Sequence, residues 1–260
     1  MILCMILIIF SVFFYNQILK YVMIGRKLEI LGSDYYLNSR IYINNDSLLN
    51  DVVLLFLSGW HPGKLPITTA DYFAGFLCSH HKYTAITICL RGQGSPGEIN
   101  TLTRNDFLND VIVTYDYIKN KWSNKKIIVI GESFGSYIGS ILTTKRDVHS
   151  LILRVPTDFP NEGFQDIPQI NYAINKTREW KMQKHHYEES YALKAVHQFQ
   201  NKVIIISSGK DTIIPFQTIK NYLSAKEENV IDWVEMKNSG HGLFKYREFK
   251  EYLEIIKKYI

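Results

Sequence analysis

Residues 126–135 read Lys-Ile-Ile-Val-Ile-Gly-Glu-Ser-Phe-Gly. The β-branched run Ile127–Ile130 suits a strand covered on both faces, and Ser136–Thr144 after it reads as a helix. The pattern Gly131-x-Ser133-x-Gly135 therefore stands where a strand turns into a helix. The two glycines let the elements approach with no Cβ between them. A turn this tight forces the serine backbone into strain and lifts its hydroxyl above the sheet edge. The helix N-terminus beside it favours negative charge. As a string of five residues the pattern is weak; its position at the strand–helix junction gives it weight.

Working outward from that turn, strand and helix patterns alternate. Short strands are expected at Lys27–Leu31 and Arg40–Asn44, around a turn at Gly32-Ser33-Asp34. The apolar run Val52–Leu57 is a buried strand, followed by a helix over Thr69–Ser79 and a strand over Thr84–Leu90. Arg104–Trp122 carries Phe107, Leu108, Val111, Ile112, Tyr115, Ile118 and Trp122 as one apolar stripe of an amphipathic helix. Strands recur at Ser150–Val155, Val203–Ser207 and Val230–Met236, and the chain closes on a helix with Phe249, Leu253, Ile256 and Ile260 on one side. This alternation predicts an α/β fold, a mostly parallel central sheet with helices on both faces. Residues 160–200 break the rhythm and read as a short helical insertion at the rim of the sheet.

Composition narrows the classes. The chain has 260 residues, 46% hydrophobic and 21% charged, which excludes wholesale disorder, a collagen-like fibre and a polytopic membrane protein. The excess of 30 Lys+Arg over 25 Asp+Glu is spread along the chain, which argues against nucleic acid as a partner. Cys4, Cys78 and Cys89 show no metal or redox spacing. They read as free thiols, which fits a reducing, cytoplasmic setting. Met1–Leu19 carries no charged side chain, and Lys20, Arg26 and Lys27 follow it. Residues 1–25 are thus a hydrophobic segment ahead of a domain at 26–260. Three readings of it stand: a membrane anchor with the domain on the cytoplasmic side, a helix packed on the domain, or an extension ahead of a start at Met23.

A serine hydroxyl needs a base to act as a nucleophile. Of eight histidines, His241 stands out in Asn238-Ser239-Gly240-His241-Gly242, directly after a strand and at the sheet edge that carries Ser133. His80, His81, His185 and His186 sit where structural or surface roles suffice. The acid that orients the histidine is Asp211, in the loop after Val203–Ser207, or Asp158, after Ser150–Val155. Asp211 is favoured.

Ser133, Asp211 and His241 follow one another in the order nucleophile, acid, histidine, each after a strand. In this the chain resembles the α/β-hydrolase fold superfamily, its lipase/esterase-like and serine aminopeptidase-like members in particular. Leu54-Leu55-Phe56-Leu57-Ser58-Gly59-Trp60 resembles that family's third strand and oxyanion loop, and Cys89-Leu90-Arg91-Gly92-Gln93-Gly94 resembles its Asp-Leu-Arg-Gly-His-Gly turn. Many relatives have His where this chain has Ser58 and Gln93. The resemblance implies backbone oxyanion donors at Trp60 and Phe134, with His61 as an alternative and Pro62 unable to donate. It also implies a lid at about 160–200.

The implied chemistry is two-step acyl transfer on a small-molecule acyl substrate. A carboxylic ester is the first expectation, with peptide, thioester and lactone bonds suiting the same residues. No metal or organic cofactor is called for; Gly92-x-Gly94 reads as a turn and not as a dinucleotide loop. Phe164, Ile167, Ile170, Tyr172, Trp180, Tyr187 and Tyr191 offer apolar area for an acyl pocket. Lys176, Arg178, Lys181 and Lys184 read as a solvated helix face. A non-catalytic binding protein of the same fold is the alternative from a different class.

Overall fold

The continuous apolar runs become the middle of one sheet. A computed structural model describes residues 25–32, 36–60, 68–91, 102–161, 177–226, 231–243 and 245–260. Its strands are β1 (Arg26–Leu31), β2 (Tyr36–Tyr42), β3 (Val52–Leu57), β4 (Thr84–Cys89), β5 (Lys126–Glu132), β6 (Ser150–Arg154), β7 (Lys202–Ser208) and β8 (Ile231–Met236). They form an eight-stranded sheet in the order β1-β2-β4-β3-β5-β6-β7-β8. Only the β1–β2 and β2–β4 pairings are antiparallel; from β4 to β8 every neighbour is parallel.

Side chains of the parallel strands alternate between two cores, as the pleat requires. Val53, Leu55, Leu57, Val129 and Leu153 face a core completed by helices α2 (Arg104–Lys121), α3 (Phe134–Leu142), α5 (Tyr191–Gln198) and α6 (Phe216–Ser224). Leu54, Phe56, Ile128, Ile130 and Ile152 face a second core with helices α1 (Thr69–His81) and α7 (Tyr246–Tyr259). Thr68 with Asp71, and Thr103 with Asp106, make reciprocal capping boxes that fix where α1 and α2 begin.

Several expectations change in detail. β2 runs over Tyr36–Tyr42 and not 40–44, because Asn44 turns the chain: its Oδ1 accepts the Ser47 N–H at 2.7 Å. α3 starts at Phe134, two residues early, and α6 lacks a counterpart in the sequence reading. The expected insertion at 160–200 contains α5, which buries Ala192, Leu193 and Val196 in the main core and packs on α3. Within it, α5 is thus a sheet-covering helix. Residues 162–176, which hold Phe164, Ile167, Ile170, Tyr172 and Lys176, lie outside the described residues. In the basic run, Arg178 and Lys184 are exposed but Lys181, on the one-turn helix α4 (Arg178–Lys181), is 4% exposed, so the solvated-face reading fails there. Residues 1–24 also lie outside the described residues, and among those described no helix is long and apolar enough to cross a membrane.

Candidate active site

In this sheet the chain leaves β3 towards β4 on one side and returns to β5 on the other, so the C-terminal ends of β3 and β5 flank the topological switch point. Ser133 sits there, directly after β5, with φ 51° and ψ −112°. A non-glycine residue at positive φ is strained, and the neighbourhood holds it in place. The Ser133 N–H donates to the Arg154 carbonyl at 2.9 Å, and its own carbonyl accepts from the N–H groups of Ser136, Tyr137 and Thr157. The flanking glycines are required by space. A Cβ on Gly131 would lie 2.6 Å from Ser136 Cα, and one on Gly135 would lie 2.1 Å from the Leu57 carbonyl oxygen. Close packing of α3 on β3 and β5 is thus what aims the serine.

The acid and the histidine come from adjacent parallel strands, β7 and β8, whose following loops are tied together. Gly209 N–H donates to the Met236 carbonyl at 3.0 Å, and Lys210 N–H to the Ser239 carbonyl at 2.9 Å. Asp211 Oδ1 accepts the backbone N–H groups of Ile213 and Ile214, at 2.8 and 2.9 Å, which leaves Oδ2 for His241 Nδ1 at 2.8 Å. The Asp211 side chain is 5% exposed and that of His241 20%. Burial pushes the Asp211 carboxyl up. The hydrogen bond and charge of His241, with the two N–H groups, outweigh it and hold the group below the usual carboxylate value. A carboxylate on Nδ1 assigns that nitrogen the proton and leaves Nε2 as the basic site. Among the described residues no hydrogen bond joins Ser133 Oγ to His241; such contacts commonly tighten only when substrate is bound.

Asp158, the other candidate acid, is fully buried and engages the Ser190 hydroxyl instead. His185 stacks on Trp180 with ring centroids 3.8 Å apart and pairs with Glu189 at 3.0 Å, a structural role. Of the expected oxyanion residues, Phe134 opens α3 directly after Ser133. Trp60 follows Gly59, where a Cβ would lie 3.3 Å from Ser133 Cβ, so its loop borders the serine. The Trp60 ring packs edge-on to Phe107 and Phe134. His61 and Pro62 lie outside the described residues, as do Gly92, Gln93 and Gly94. Arg91, at the start of that turn, is pinned to α2 by Asp110, with Nη2 2.8 Å from Oδ1.

Sequence reasoning overlooked Glu132 and Arg154. The Arg154 guanidinium, 0% exposed, pairs with Glu132 Oε1 at 2.7 Å and reaches Ser208 Oγ at 3.3 Å and the Gly240 carbonyl at 3.1 Å. The signal was there: an arginine ending the strand Ser-Leu-Ile-Leu-Arg, where a buried cation demands partners.

Comparison with known proteins agrees with this architecture. A comparison with curated proteins finds no match. Among solved structures, an α/β serine hydrolase homologue from Coxiella burnetii is 19% identical, with 92% of this chain and all of that chain covered and a TM-score of 0.63. Est1E from Butyrivibrio proteoclasticus, solved with ferulic acid, is 14% identical over 89% of this chain and 97% of its own, with a TM-score of 0.67. The acylaminoacyl peptidase of Pyrococcus horikoshii is 15% identical over 93% of this chain but only 43% of its own, with a TM-score of 0.65. At such identities the likeness is one of fold. The sequence model of the prolyl oligopeptidase family matches residues 88–260, a span that holds Ser133, Asp211 and His241. On that match, and with the sheet order and strand–serine–helix turn described above, the chain belongs to the prolyl oligopeptidase family of serine hydrolases with the α/β-hydrolase fold.

Proposed function

We propose that the protein hydrolyses carboxylic esters of small acyl substrates through Ser133, His241 and Asp211. The observation that carries the reading is the strained Ser133 at the head of α3, on the same sheet edge as a histidine whose Nδ1 is held by a buried carboxylate. Ser133 Oγ attacks the substrate carbonyl carbon and passes its proton to His241 Nε2. Asp211 keeps the imidazole in the required tautomer and offsets its positive charge. The tetrahedral oxyanion is met by the backbone N–H groups of Trp60 and Phe134, each such donor contributing about 10²–10³ in rate. His241 then gives its proton to the departing alkoxide, and an acyl-serine remains. Water, deprotonated by the same imidazole, attacks that acyl carbon; the acid leaves and Ser133 regains its proton.

The likeness in fold to Est1E supports ester chemistry. A second reading is favoured by the family match and by the acylaminoacyl peptidase: cleavage of a peptide bond by the same residues. Labelling with a fluorophosphonate probe tests the shared part. Labelling of the wild type that disappears in Ser133→Ala is the expected result; labelling that persists there removes Ser133 as nucleophile. A well-folded wild type that never labels would favour a binding role for the fold. Parallel assays on p-nitrophenyl esters and on peptide p-nitroanilides divide the two readings, with faster turnover of the esters expected.

A further inference from the structure

We propose that Arg154 is a positioning residue for this reaction, a buried clamp that sets the loops of Ser133, Asp211 and His241 relative to one another. The inference rests on the hydrolase reading above and adds a residue to it. β6 lies between β5 and β7, so its C-terminal end is the one point of the sheet adjacent to both the serine turn and the acid loop. Arg154 uses its main chain on one and its side chain on all. Its carbonyl accepts the Ser133 N–H at 2.9 Å and the Ser136 hydroxyl at 3.2 Å. Its Nη1 donates to Glu132, the residue before the serine, at 2.7 Å. Its Nη2 donates to Ser208 Oγ, three residues before Asp211, at 3.3 Å, and to the carbonyl of Gly240, the residue before His241, at 3.1 Å.

Burial makes these bonds consequential. A guanidinium with no solvent access has only protein partners, and moving one of them leaves a desolvated charge or donor unpaired. The Tyr252 ring of α7 lies 5.5 Å from Cζ and closes the fourth side. Immediately afterwards Val155 takes φ 40°, a strained conformation for a β-branched residue. It is held by its N–H on the Ile206 carbonyl at 2.8 Å, and two residues on the Thr157 N–H returns to the Ser133 carbonyl at 3.3 Å. Arg154 touches no group that reacts. Its effect is on the mutual placement of three side chains, where a shift of about 1 Å costs on the order of 10² in rate.

Arg154→Lys is the test, because it keeps the charge and most of the volume but replaces the fork by a single ammonium that cannot span Glu132, Ser208 and Gly240 together. Steady-state hydrolysis of p-nitrophenyl butyrate is measured beside endpoint titration of active serines with a fluorophosphonate. The expected result is a kcat lower by about tenfold to a hundredfold, a KM within about threefold, and a full count of titratable serines. A kcat within twofold of wild type overturns the clamp. So does a fall in kcat matched by an equal fall in titratable serines, which marks loss of folded protein. Should Arg154→Lys not fold, the pair Glu132→Leu with Arg154→Met removes both charges together and is read in the same way. A wild type that neither labels nor turns over ester overturns the hydrolase reading and the clamp with it; an active wild type beside an unaffected Arg154→Lys overturns the clamp alone.

Discussion

The Asp158 carboxylate takes its hydrogen bond from the hydroxyl of Ser190, the N-cap of α5, while Asp211 faces the imidazole of His241 at 2.8 Å. Both acids follow parallel strands, so spacing along the chain cannot separate them, but their surroundings do. Burial raises the Asp158 carboxyl to about 7, against the opposing effects of the Ser190 hydroxyl, the Phe159 N–H, Lys181 and His185. A carboxyl so disposed is a poor partner for an imidazolium. Asp211→Asn is therefore expected to lower kcat on an ester substrate by about 10³–10⁴ through the wrong histidine tautomer. Asp158→Asn is expected to stay within a few-fold of wild type. Steady-state kinetics on the two variants decides the assignment, and a reversed pattern would transfer the role to Asp158.

The same carboxylate links stability to pH. The Asp211 carboxyl lies lower in the folded chain than in the unfolded one, so the unfolded state binds more protons as pH falls. Its contribution is fully present above the unfolded value of about 3.9 and is lost as pH drops through the folded value. Denaturant midpoints of wild type and Asp211→Asn should then differ at pH 6 and converge as pH falls below about 4. A gap of constant size would mean that Asp211 carries no pH-linked stabilisation.

Much of the architecture was legible because the parallel strands bury both faces. Val52–Leu57 and Lys126–Ile130 read as inner strands, and in the structure the second runs on only to Glu132. Helix α6 was missed for the opposite reason: its nine residues mix buried Thr218, Ile219, Asn221 and Tyr222 with exposed polar ones, and no side-chain cap marks its start after Pro215. Inside the expected lid at 160–200, α5 covers the sheet, and the sequence could not show this because its amphipathic stripe, Ala192, Leu193 and Val196, is as suited to a sheet face as to a cover. Ser133, Asp211 and His241 could be singled out as candidates by their strand-end positions. Arg154 could not, since its partners Glu132, Ser208 and Gly240 are 22, 54 and 86 residues away in sequence. Only the sheet order brings them together.

Two glycines near the site should respond oppositely to the same change. A Cβ on Gly135 would meet the Leu57 carbonyl oxygen at 2.1 Å and the Ser58 carbonyl oxygen at 2.7 Å, both backbone atoms that cannot move without parting α3 from β3. Gly135→Ala is expected to destabilise the fold by more than about 4 kcal/mol, read as a collapse of folded yield or a large loss of denaturant midpoint. On Gly240 the nearest neighbour would be the Lys210 carbonyl oxygen at 3.8 Å, an ordinary contact. Gly240→Ala should remain within about 0.5 kcal/mol of wild type, and its carbonyl still accepts from Arg154. Equal effects at the two positions would contradict the packing of the serine turn.

The two buried thiols give a probe of the whole sheet. Cys78, on α1, is 0% exposed and Cys89, at the end of β4, is 8% exposed. Burial raises both thiols to about 11, opposed at Cys78 by a hydrogen bond from Asn44; at Cys89 the Asp71 charge adds to the rise and Arg40 opposes it. At pH 8 the thiolate, which is the reactive form, is thus on the order of one molecule in a thousand at each position, and access is closed as well. In a Cys4→Ser background, which removes the thiol that lies outside the described residues, folded protein should show no prompt reaction with Ellman's reagent. Both thiols should react once denaturant unfolds the sheet, at a concentration that coincides with the loss of secondary structure. Prompt reaction of either thiol in the folded protein would show that α1 or the end of β4 opens independently of the core.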